Sequence, residues 1–366
     1  MMRSKSIFFF AIGLIFLTNC KVQAVIYEAV VLSSSEFNLV KAYGLSGGQQ
    51  VGSGFSSSTS GNTHALLWYG TAESMVDLNP SGFTTSTAYG VSSGQQVGTG
   101  SGSVTSGNNH ALLWSDTANS VIDLHPNLFE WSSGRDIHNG QQAGEGSGSI
   151  TGGNTHALLW SGTAESMVDL NPSGFTMSEA YSISVGQQVG AGVTTGGEQH
   201  ALLWYGTAES VVDLNPSGFT STLAYGTDGS HQVGEGYGID TLGDTHALLW
   251  SGSAESLVDL HPTGFTKSRA RGVSGDQQVG DGRGSITGGN NHALLWSDTA
   301  NSVIDLHSFL TDEYVTSYAY DIDSMGNIIG YALTDTGDFS AILWTPEPAT
   351  LLLLGLGALM VRRKHS

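Results

Sequence analysis

Apolar and polar positions alternate in short stretches along most of this 366-residue chain, and the stretches recur. Residues 86–92 (Ser-Thr-Ala-Tyr-Gly-Val-Ser) alternate small with large side chains, and that period of two predicts a strand. Ser93-Gly94 predicts a turn, and residues 95–100 a second strand. After a Gly/Ser/Asn loop, His110-Ala111-Leu112-Leu113-Trp114 predicts a third strand. It is apolar on both faces, as expected for a strand packed against neighbours on each side. Residues 116–119 predict a turn and 120–124 a fourth strand; nothing in the block has the length or 3.6 spacing of a helix.

The whole block repeats. The motif His-Ala-Leu-Leu-Trp begins at His64, His110, His156, His200, His246 and His292, at offsets of 46, 46, 44, 46 and 46 residues, and ends at Trp68, Trp114, Trp160, Trp204, Trp250 and Trp296. A degenerate seventh copy, 340–344, ends at Trp344. A unit of this length cannot bury its apolar faces alone and must stack on its neighbours. Four short antiparallel strands per unit, repeated about an axis, predict an all-β fold: a seven-bladed β-propeller of four-stranded antiparallel blades. Small residues of the first strand, such as Ala42 and Gly44 or Ala88 and Gly90, fit where blades converge. The seventh copy lacks a fourth strand, whereas residues 26–32 form an orphan strand before the first copy. The expectation is that this N-terminal strand completes the last blade; an open array would leave two apolar faces unpaired. The blocks resemble the HAF family of extracellular repeats, through 88–92, 94–98, His110 to Trp114 and Asp123-Leu124, and most nearly through 319–330. That resemblance covers 26–344 and implies no particular activity.

Both ends of the chain read as addresses. Arg3 and Lys5 precede an apolar run over 7–17 and small residues at 22–24, the order of a secretory signal peptide over 1–24. A lipoprotein reading through Cys20 has Asn19 before the cysteine, which is unusual for that signal. At the other end, Pro346-Glu347-Pro348 is followed by an apolar stretch over 351–361 and by Arg362, Arg363 and Lys364. Taken alone this is a short membrane segment with a basic cytoplasmic flank. Its order closely resembles the PEP-CTERM sorting signal of Gram-negative bacteria. The resemblance implies an exosortase as partner, transient residence in the inner membrane and delivery to the cell surface or exterior. The expected domains are therefore 1–24, a propeller over 25–344 and a sorting signal over 345–366.

Composition changes the picture only after the addresses are set aside. Six of the 12 basic residues but 31 of the 32 acidic ones then remain, a balance near −25. A nucleic-acid partner needs basic density and is excluded as a class. The single cysteine lies in the leader, so no internal disulfide is expected after its removal.

The repeated histidines invite a metal reading, but one per unit places them far apart; they are expected to be structural, each bonding a neighbouring turn. The repeated Asp of the fourth strand (Asp77, Asp123, Asp169, Asp213, Asp259, Asp305) is expected to protect an outer edge. Asp321-x-Asp323-x-x-Gly326-Asn327 resembles an incomplete calcium loop. No metal and no cofactor are expected, and no nucleophile elbow points to a hydrolase. Function is sought where the repeat breaks. Trp131, Arg135 and His138 mark a divergent segment, taken as a loop suited to stacking on a sugar or peptide; Lys267, Arg269 and Arg271 concentrate positive charge that could meet an acidic polymer. The resulting expectation is a non-enzymatic surface protein binding or scaffolding extracellular polysaccharide. The rival is a glycan hydrolase or lyase, which would show two carboxylates about 5–9 Å apart in a central pocket.

Overall fold

A computed structural model describes residues 26–347 except 35 and 58. The leader expected over 1–24, and Pro348, Arg362, Arg363 and Lys364 of the tail, lie outside the described residues. The described chain folds as seven four-stranded antiparallel units without an α-helix. The sheet count fits the seven copies. Their first strands are Asn38–Ser46, Phe83–Ser92, Phe129–His138, Phe175–Ser184, Phe219–Thr227, Phe265–Ser274 and Tyr314–Ile322, which number the units one to seven. Units four and five share a single parallel bridge, Gln199 to Ser221.

In unit two the remaining strands are Gln95–Gly102, His110–Trp114 and Ile122–Asp123. Ser93 (φ 52°) and Gly94 (φ 78°) both take the left-handed conformation, the geometry of a two-residue hairpin turn. The fourth strand is shorter than its sequence predicts, because 118–120 wind into a 3₁₀ turn first.

The third strand's two apolar faces serve two neighbours. Trp114 and Leu112 pack with Val51, Ala65 and Leu67 of unit one, while Ala111 and Leu113 pack with Phe129, Ile137 and Trp160 of unit three. Seven such wedges, one between each pair of adjacent units, make up the core. All seven repeat tryptophans are fully buried in them. Close approach between first strands explains the glycine of Ala-Tyr-Gly: a Cβ on Gly90 would lie 2.8 Å from the Asp136 Cα.

The ring closes through the chain ends. Strand Tyr27–Val31 pairs antiparallel with Phe339–Pro346, setting Val30 opposite Leu343 and Tyr27 opposite Pro346. The last strand therefore runs past 344, the boundary expected from sequence, into the first residues of the sorting signal.

A polar latch also crosses every wedge. The Ser86 hydroxyl accepts from the Ala65 N–H at 3.0 Å and donates to Asn79 Oδ1 at 2.7 Å. The N–H groups of Ala111, Ala157, Ala201, Ala247 and Ala293 donate likewise to Ser132, Ser178, Thr222, Ser268 and Ser317. At the seam, Ala341 donates to Ser33 at 3.2 Å.

Candidate functional site: an axial cup

In every unit the first strand carries a β-bulge at one place, between Ala42 and Gly44, Ala88 and Gly90, Gly134 and Asp136, Ala180 and Ser182, Ala224 and Gly226, Ala270 and Gly272, and Ala319 and Asp321. A bulge re-aims the extra residue's side chain. The seven extra residues are Tyr43, Tyr89, Arg135, Tyr181, Tyr225, Arg271 and Tyr320, and all seven line one cavity of about 810 Å³. Sequence alternation suggested which residues are small at this convergence but not that the one between them turns inward.

The side chains meet around the axis. Tyr43 stands 5.4 Å, centroid to centroid, from both Tyr89 and Tyr320, and Tyr181 5.6 Å from Tyr225. The Arg135 guanidinium lies 5.0 Å from the Tyr89 ring; that of Arg271 lies 4.7 Å from Tyr320 and 5.7 Å from Tyr225, cation–π distances. The cup opens beyond this ring, on the side of the first hairpin turns, where Ser46, His138, Asp228 and Asp323 reach its lining.

One step back along the strands, carboxylates anchor the ring. Arg135 grips Glu145 through Nη2 at 2.6 Å and Nε at 2.8 Å, and Arg271 reaches Asp281 at 2.8 Å. Tyr225 donates to Glu235 at 2.9 Å, Arg269 also pairs with Glu235, and Tyr181 donates to Glu179. Burial pushes the Glu145 carboxyl up, and Arg135 pulls it back. Burial opposes the charge of Arg135 and Arg271, yet their acidic partners prevail and raise both. At the wall, the Asp136 carboxylate accepts from Ser182 Oγ and the Ile183 N–H, and that of Asp321 from the Leu45 N–H. Burial pushes Asp321 up to about 7, and it raises Asp136 as well. Each of these carboxylates already holds a partner within the protein.

Several sequence expectations change here. Trp131, Arg135 and His138 sit on a strand, not a loop. Arg135 and His138 line the cup, whereas Trp131, near the strand's other end, does not. The divergent segment keeps the strand because its alternation survives the changed residues. Arg269 and Arg271 are likewise strand residues, paired with Glu235 and Asp281 rather than free for a polymer, and Lys267 shares their strand. The repeated histidine bonds the fourth-strand aspartate, not a turn. His64 Nδ1–H donates to Asp77 at 2.7 Å, and His110, His156, His200, His246 and His292 do the same with Asp123, Asp169, Asp213, Asp259 and Asp305. The aspartate's other oxygen accepts a backbone N–H two residues on, so it also ties the turn. Asp323 folds its own turn, accepting from the N–H groups of Met325 and Asn327.

At the C-terminus, residues 345–364 match the PEP-CTERM protein-sorting motif. The tail is a PEP-CTERM sorting signal. The motif indicates export to the surface or exterior of a Gram-negative bacterium and implies processing by an exosortase. Among the described residues no helix is long and apolar enough to cross a membrane. No curated protein matches the chain in sequence. Among solved structures, the β-propeller domain of the Trilobed protease from Pyrococcus furiosus, described as having an open velcro topology, is 8% identical over 84% of this chain and 96% of that one, with a TM-score of 0.57. A puromycin hydrolase S511A mutant complexed with PGG is 10% identical over 86% of this chain, with a TM-score of 0.56; this chain spans about half, 52%, of its length. At these identities the likeness is one of fold: a propeller.

Proposed function

We propose that this PEP-CTERM protein is a seven-bladed propeller of HAF-type repeats that binds extracellular polysaccharide in its axial cup without catalysing its breakdown. The observation that carries the reading is the ring itself. Around it the repeat is nearly invariant, yet the axial residue alternates between five tyrosines and two arginines. Tyrosine faces stack on sugar rings, while the serine, histidine and aspartate groups at the cup's mouth supply hydrogen bonds to hydroxyls. Export of the chain supports the reading, because it brings such a site to the cell surface or exterior. The engagement of Glu145, Glu179, Glu235 and Asp281 by arginine or tyrosine favours binding over hydrolysis.

The test is calorimetric titration of the purified protein with neutral and acidic bacterial polysaccharides, beside Tyr43→Ala and Tyr89→Ala. Binding that falls at least tenfold in both variants, with no release of reducing ends, supports the reading. Binding unchanged in both, or polymer cleavage abolished by Glu179→Gln, overturns it.

A further inference from the structure

The sorting motif is not a free tail where it begins. Beside the last strand, the second strand of unit seven (Ile328–Thr334) pairs only as far as Ile328 opposite Trp344. Beyond Trp344, the ladder partners are Glu28 opposite Thr345 and Tyr27 opposite Pro346, both on the N-terminal strand. The Glu347 N–H continues the ladder, donating to the Ile26 carbonyl at 2.9 Å. Pro346 also rests on the turn of unit seven: its Cγ would lie 3.2 Å from a Cβ on Gly326, and the Tyr27 hydroxyl stands beside the same position. Tyr27 is buried, and its ring packs 6.0 Å from that of Phe309.

An enzyme that reads a peptide motif as an extended chain needs that motif's edge groups unpaired. Here the five-residue N-terminal strand is the partner that occupies them. We infer that strand Tyr27–Val31 is a lock on the sorting motif. While it is paired, Thr345, Pro346 and Glu347 belong to the sheet; the exosortase acts on chains in which this strand has not yet docked or has swung away. Closure of the ring and processing of the tail are thereby alternatives for the same backbone. A short strand at the edge of its sheet is the place where that sheet opens at least cost.

Both directions can be tested on the full-length chain in cells carrying an exosortase, with tail removal followed over time by intact mass. Val30→Cys with Leu343→Cys places two thiols on directly opposed residues outside the matched motif. Antiparallel neighbours stand about 4.5–5.5 Å apart at Cα, within the span of a disulfide. The oxidised chain is expected to be processed at least tenfold more slowly than the same chain kept reduced. Glu28→Pro, which removes a donor from the exposed edge strand, is expected to speed processing at least threefold. Equal rates for oxidised and reduced chains would overturn the inference, because processing would then be indifferent to the paired state. So would a folded Glu28→Pro chain processed no faster than the parent.

Discussion

Replacing Ser86 with alanine removes one latch between units one and two and nothing else of note. Ser86 is 2% exposed, and loss of its hydroxyl orphans the N–H of Ala65, which is fully buried. It also leaves Asn79 Oδ1 without its donor, although that side chain is only half-buried and water can reach it. An unsatisfied buried donor costs about 1–3 kcal/mol. With the asparagine largely rescued by solvent, the expected loss is about 2 kcal/mol. Unit five supplies the control: there Thr222 accepts from the Ala201 N–H at 2.9 Å and donates to Asn215 at 2.8 Å. Ser86→Thr should therefore stay within about 0.5 kcal/mol of the parent, the range of an unremarkable substitution. Equilibrium urea denaturation, followed by tryptophan fluorescence, reads both numbers directly because all seven repeat indoles lie in the wedges. An alanine variant as stable as the threonine one would refute the latch as a stabilising element.

Further outcomes follow from other contacts. In units two, five and six the asparagine of the latch is replaced by His125, His261 or His307, each stacked 3.8–4.0 Å from the repeat histidine. His125 bonds the Phe129 carbonyl through Nε2 and the Ser132 hydroxyl through Nδ1; burial, then His110, lowers its pKa. A histidine lowered in the folded state stabilises above its ordinary value near 6.5 and loses that contribution as pH falls through the lowered one. The triple variant His125→Asn, His261→Asn, His307→Asn should thus flatten the acid limb of a stability-against-pH curve measured by urea denaturation. Asp321 runs the other way: raised to about 7, it favours the fold at low pH and loses that contribution as pH rises from about 4 through 7, so Asp321→Asn should reduce the decline between those values. Arg135→Met strands the buried Glu145 and should cost about 3–5 kcal/mol in the same assay, with Glu145→Gln in the same chain recovering part of it. Gly90→Ala forces a Cβ against the Asp136 backbone and should cost about 1–3 kcal/mol.

The wedges were legible because they rest on period and identity: a third strand apolar on both faces has few options other than packing between two neighbours. Closure by residues 26–32 followed from counting strands. The cup was not legible, because a bulge leaves no mark in alternation; Tyr89 looks like any large residue between Ala88 and Gly90. A signal was nonetheless present in the sevenfold comparison, where Arg135 and Arg271 occupy the tyrosine's place. The latch was hidden for a different reason. Ala111 lies in one repeat and Ser132, whose hydroxyl it reaches, in the following one. Such pairings emerge when one block is read against the next rather than within itself.

The ladder that seals the circle has Ile26 beside Glu347 at one end, so the chain enters and leaves the fold at the same place. A mechanical load drawn between Ile26 and Glu347 would meet the rungs one after another, in peeling geometry, instead of loading all of them together in shear. A protein with seven well-packed wedges is thus a weak link under tension at a single place, and resistant to it everywhere else.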